Sequence, residues 1–115
     1  MNCRDQLRSD LMKSMAQIFS GAANPLLLDA LKAFFPCLSF ALVVNWVPEQ
    51  SEDIYWILID LNRIAVVEIP RFNGDFSGLS VDLLDVVEYR GRRHSAEVRR
   101  KLEVAIELMR ENRSS

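Results

Sequence analysis

The sequence predicts an α+β fold, a small antiparallel meander of three or four strands packed against three to four helices in the order α-α-β-β-β-(α or β)-α. Three observations carry this prediction. Apolar residues recur at helical spacing as far as Pro36, the period then falls to 2 between Leu38 and Ile69, and helical spacing returns after Ser95.

The first helix is expected over Arg4 to Phe19, where Leu7, Leu11, Met15 and Ile18 form a stripe that Met12 and Phe19 widen. Ser20-Gly21 ends it, because glycine readily takes the left-handed conformation just past a helix. Asn24-Pro25 starts the next, with asparagine as N-cap and proline at the first helical position. Its stripe is Leu27, Leu31, Phe34 and Phe35, and it must stop by Pro36.

Beyond Pro36, Leu38, Phe40, Leu42, Val44 and Trp46 alternate with lighter residues and predict a strand. Pro48 to Asp53 reads as a polar loop. Strands at Ile54–Leu61 and Ile64–Ile69 are expected to be joined by a two-residue Asn62-Arg63 turn, which would set Leu61 opposite Ile64 and Ile57 opposite Glu68. Arg71 to Gly78 is rich in turn residues. Leu79 to Arg90 carries both signals: Val81, Val86, Val87 and Tyr89 favour a strand, whereas Ser80, Asp82, Asp85 and Arg90 sit where a helix wants its cap and charges, and the helix is preferred. Ser95 then caps a last helix running to about Asn112 on Val98, Leu102, Ala105, Ile106 and Met109. Phe40, Leu42, Ile57, Val66, Leu102 and Ile106 are the expected core. The economical packing puts the helices on one sheet face.

With 115 residues, half of them hydrophobic, the chain is expected to form a single domain over 1–115, with about 1–3 and 113–115 disordered. Its longest apolar run, Ile54 to Ile59, is far short of the ~20 residues that cross a bilayer. The charged start of the chain is unlike a secretory signal, and Cys3 and Cys37 form no C-x-x-C pair, so a reduced, cytoplasmic protein without a membrane partner is expected. Cys37, between Pro36 and Leu38, is expected to be a buried thiol.

Net charge is −2, but residues 1–48 carry +1, residues 49–88 carry −7 and residues 89–115 carry +4. The chemistry-bearing residues form no complete constellation. Asp60, Glu68 and Asp75 suggest the carboxylates of a nuclease-like site, but Pro70 stands where such motifs place lysine. His94, the only histidine, would have to serve any Cys-His or Ser-His-Asp arrangement. The glycines fit no phosphate-cradle motif, and no ligand set for a metal or cofactor is present.

Two surfaces remain. Trp46, Tyr55 and Trp56 flank the acidic loop with Glu49, Glu52 and Asp53, a composition typical of protein-binding patches. Arg90, Arg92, Arg93, Arg99 and Arg100, with Lys101, form a basic strip around the start of the last helix, where Arg99 and Glu103 stand at i,i+4 spacing. By elimination the sequence points to a non-catalytic protein-binding module, an inhibitor or immunity-type protein covering a toxin or effector. The alternatives are an effector or secretion chaperone, a small enzyme subunit, or a nucleic-acid-binding protein using the basic strip. Monomer and homodimer are equally compatible with the sequence.

Overall fold

The computed structural model describes residues 3–71 and 78–114. The order of elements is α1 (Cys3–Ser20), α2 (Pro25–Phe34), β1 (Leu42–Pro48), β2 (Glu52–Leu58), β3 (Arg63–Pro70), β4 (Ser80–Asp85), α3 (Val86–Arg90) and α4 (Ala96–Ser114). The four strands pair antiparallel in chain order, β1-β2-β3-β4. Of the ends expected at about 1–3 and 113–115, residues 1–2 and 115 lie outside the described residues, while Cys3 falls in α1 and residues 113–114 in α4.

The local signals that set the helices act as expected. Gly21 takes φ +79° after α1, the Asn24 side chain accepts from the Leu26 N–H at the start of α2, and Ser95 Oγ accepts from the Val98 N–H at the start of α4. The first strand is shorter than its alternation suggests, since Leu38 and Phe40 precede it in irregular chain.

The segment expected to be helical over Leu79–Arg90 divides. Ser80–Asp85 is the fourth strand and Val86–Arg90 a short helix. Both signals were real, and the boundary falls at Asp85, whose extended backbone sits where the helix would be capped.

The turn between β2 and β3 also differs from the two-residue Asn62-Arg63 turn. Asp60 Oδ1 accepts from the N–H of Asn62 (2.8 Å) and Arg63 (2.7 Å), and the Ile59 N–H donates to Arg63 O. This carboxylate-held loop moves the pairing by three residues, so Ile57 faces Ala65 and Ile54 faces Glu68. An odd shift flips every side chain to the other face. It puts Ile57, Ala65, Val67 and Ile69 together in a buried layer and keeps Glu68 out of it.

The sheet is covered on both faces, not one. Leu42, Val44, Leu58 and Ile64 pack with Val86, Tyr89, Leu102 and Ile106 beneath α3 and α4. Ala41, Ile57, Ala65 and Val67 pack with Leu27, Ala30 and Leu31 beneath α2. Helix α1 serves both layers, with Leu11 in the first and Ile18 in the second, and lies along β1. One face could not suffice, because strands with large apolar residues on both sides leave a hydrophobic layer in water if helices cover only one. Of the expected core, Leu42, Ile57, Leu102 and Ile106 are buried, while Phe40 and Val66 are only partly so. Full burial of each such aliphatic side chain stabilises by about 1.5–3 kcal/mol.

Ion pairs tie the helices. Arg8 reaches Glu107 (2.6 Å) and Glu111 (2.8 Å), and Arg4 also meets Glu107, joining α1 to α4. Arg90 grips Glu103 through Nε and Nη2, fastening the end of α3 to α4. No helix among the described residues is long and apolar enough to cross a membrane.

Candidate functional site

At the open end of β1 the chain places an aromatic pair. Trp46 faces Tyr55 across the β1–β2 ladder, and their rings stack with centroids 6.1 Å apart and planes within 10°. Trp46 is 53% exposed. Its indole Nε1–H donates to Asp53 Oδ1 at 3.3 Å, and Arg71 donates to the same oxygen at 2.9 Å. The indole is therefore held on one side by a ring and at its edge by a carboxylate already engaged by a cation. Burial pushes the Tyr55 hydroxyl above its usual pKa, the Asp53 charge adds to this, and Asn24 and Arg71 pull it back. Tyr55 is a neutral donor across the physiological range.

A groove runs from this pair along β1, between the strand and α1. Ser14, Val43 and Trp46 line it throughout, with Asp10, Asn45 and Glu97 at the α4 end and Gln17, Ala23 and Tyr55 at the α2 end. Asp10, Ser14 and Gln17 stand at i, i+4 and i+7 on α1. That polar stripe was visible in the sequence, but nothing there distinguished it from a solvated helix face.

The expected aromatic-acidic surface is only partly assembled. Trp46, Tyr55 and Asp53 come together. Trp56 does not join them: alternation along β2 turns it to the opposite face, where it is half-buried against the α4 layer. Glu49 and Gln50-Ser51 form the hairpin tip, closed by the Glu49 N–H donating to Glu52 O, with Glu49 exposed and Glu52 half-buried.

The basic strip is divided. Arg90 is committed to Glu103, and Arg92 to Glu88 at 3.4 Å. Glu103 therefore pairs with α3 and not with Arg99 at i,i+4. Arg93, Arg99 and Arg100 are exposed, and no ion pair engages them among the described residues.

The catalytic candidates are separated. Asp60 is spent on its turn. Burial pushes its carboxyl up, but the Arg63 guanidinium and the amides of Asn62 and Arg63 outweigh this and hold it below the usual carboxylate range. Glu68 accepts from Ser80 Oγ at 2.8 Å near the other end of β3, and Asp75 lies outside the described residues. His94 Nε2 lies 2.6 Å from Tyr89 O, with its ring 4.3 Å from the Tyr89 ring. Cys37 is exposed, not buried, because the chain leaving α2 runs over the surface beside Phe35, Pro36 and Ile59. Those residues belong to the α2 side of the sheet and His94 to the α4 side, so the two cannot act together. Among the described residues no group of three or more His, Cys, Asp or Glu side chains is placed to hold a metal ion.

No family model, curated protein or solved structure matches the chain.

Proposed function

We propose that the chain is a non-catalytic protein-binding module of the inhibitor or immunity type, which neutralises a cognate effector by covering its active surface with the Trp46 edge of the sheet. The observation that carries this reading is the indole itself, more than half exposed yet fixed by Tyr55 and Asp53. An exposed aromatic that is already immobile gives up little conformational freedom on docking, which is why such residues anchor interfaces. The groove beside it offers depth for a partner side chain, and Glu49 and Glu52, in the hairpin that follows the Trp46 strand, add charge that favours a basic partner surface. The exposed thiol of Cys37 suits a reducing cytoplasm, where we place the protein.

The test starts with a partner captured from the native host and compares three variants against it. Trp46→Ala should weaken binding about 30-fold or more, as loss of a hot-spot aromatic does, with an unchanged melting temperature. Glu49→Lys with Glu52→Lys should slow association severalfold, and added salt should shrink the difference. Arg93→Glu with Arg99→Glu and Arg100→Glu should bind like the parent. If only the arginine variant is impaired, the partner docks on the basic strip and this reading is wrong.

A further inference from the structure

The two edges of the sheet differ in a way that bears on self-association. Consecutive residues of an antiparallel strand turn their N–H and C=O alternately to one neighbour and the other. On β1, the Glu49 N–H donates to Glu52 O, so the parity set at Glu49 directs Val47 toward β2 and leaves Trp46 and Pro48 facing outward. That edge is closed to strand addition. Pro48 has no N–H, the Trp46 N–H is taken by the Asn45 side chain at 3.0 Å, the strand bulges between Val43 and Asn45, and α1 lies against it. These are the devices that protect sheet edges.

On β4 none of them occurs among the described residues. The Val86 N–H donates to Asn62 O, so Leu84, Asp82 and Ser80 bond to β3 while Asp85, Leu83 and Val81 turn their backbone groups outward. The β3–β4 register is unbroken, the strand has no proline, and among the described residues no group pairs with these outward N–H and C=O groups. Leu83, at the centre of the strand, is 52% exposed, and Val87 just beyond it is 80% exposed.

We infer that β4 pairs antiparallel with β4 of a second copy of this chain, with Leu83 opposite Leu83 on the two-fold axis, joining two four-stranded sheets into one. This register pairs all three outward residues within the strand. Centring on Leu83 matches every outward residue with an outward residue, Val81 with Asp85 and Leu83 with itself. Centring on Asp82 would leave Asp85 opposite Leu79, outside the second copy's strand, and set carboxylate against carboxylate; centring on Leu84 or Asp85 would run the second strand into α3. In the Leu83 register the two leucines meet on one face, while Asp82 lies beside Leu84 of the second copy on the other. The joint carries two carboxylates from each copy, so added salt should tighten it, the opposite of the salt effect expected at the Trp46 edge.

Sedimentation equilibrium of the full chain through the micromolar range should give twice the 13.2 kDa chain mass. Leu83→Pro removes an N–H that points away from β3, so the internal ladder is kept. By symmetry the dimer loses two hydrogen bonds and should weaken about tenfold or more. Leu83→Lys should dissociate it with an unchanged circular dichroism spectrum, and this variant decides the matter if the proline variant fails to fold. With Cys3 and Cys37 replaced by serine, Leu83→Cys should cross-link on oxidation, because paired Cα atoms about 5.5 Å apart lie within disulfide reach. A monomer at every concentration overturns the inference, as does a dimer that keeps its affinity in the Leu83→Lys variant or cross-links through Val47→Cys and not Leu83→Cys.

Discussion

Among the described residues Tyr89 is the largest fully buried side chain, packed beneath α4 against His94, and its hydroxyl has no hydrogen-bond partner there. The Asn45 side chain lies alongside, outside ordinary hydrogen-bond geometry. Burial pushes the hydroxyl above its usual pKa, with Asn45 and the Arg92 charge pulling it back only in part. Two effects compete when the hydroxyl is deleted. A buried hydroxyl without a partner costs about 1–3 kcal/mol, whereas a bonded one contributes a net of about 0.5–1.5 kcal/mol. Tyr89→Phe keeps the ring, its contact with His94 and nearly all the packing, so it isolates that one atom. Reversible denaturation in urea should show a gain of about 1 kcal/mol, equivalent to a rise of about 4 °C in melting temperature for a chain of this size. Tyr89→Ala, which removes the ring too, should instead lose about 3–5 kcal/mol. A loss of about 0.5 kcal/mol or more in Tyr89→Phe would refute the reasoning and make Asn45 a true partner.

Two further predictions concern stability. Leu102→Ala should cost about 2–5 kcal/mol in chemical denaturation, because Leu102 is buried between α4 and the sheet, and a loss under about half a kcal/mol would contradict that packing. Asp60 is held below the usual carboxylate range in the folded chain, so the stability it contributes is complete above its unfolded pKa of about 4 and is lost as pH falls through the folded value. Asp60→Asn should therefore be less stable than the parent at pH 7, by under about 1 kcal/mol given partial exposure, and the gap should close in acid; a gap that does not vary with pH would argue against the carboxylate's charge.

The features legible in the sequence were those with short-range causes. Asn24, Gly21 and Ser95 act on backbone within a few residues, so the helix ends could be read directly. The β2–β3 register could not, because Asn62-Arg63 looks like a turn until Asp60 is seen to reach forward and hold both amides. The covering of both faces was implied by Val43 and Ile57, apolar residues whose strand neighbours on either side are also apolar, but periodicity alone does not say which helix meets which side. For the candidate site, sequence proximity grouped Trp46, Tyr55 and Trp56 correctly along the chain and wrongly in space, since alternation along β2 sends two adjacent aromatics to opposite layers. The pairing of Arg90 with Glu103 spans α3 and α4 and has no local signature that outranks the i,i+4 choice of Arg99.

A sheet divides the hydrophobic interior into two compartments, and two compartments could open independently. Helix α1 prevents this by anchoring Leu11 in one and Ile18 in the other. Detaching it exposes both at once, so the chain should lose amide protection in α2 and α4 together and not in stages. The same helix contributes Ser14 and Gln17 to the groove beside Trp46. A partner seated there would hold the helix down, and amide exchange would slow in layers it never touches, including the far side of the sheet beneath α4.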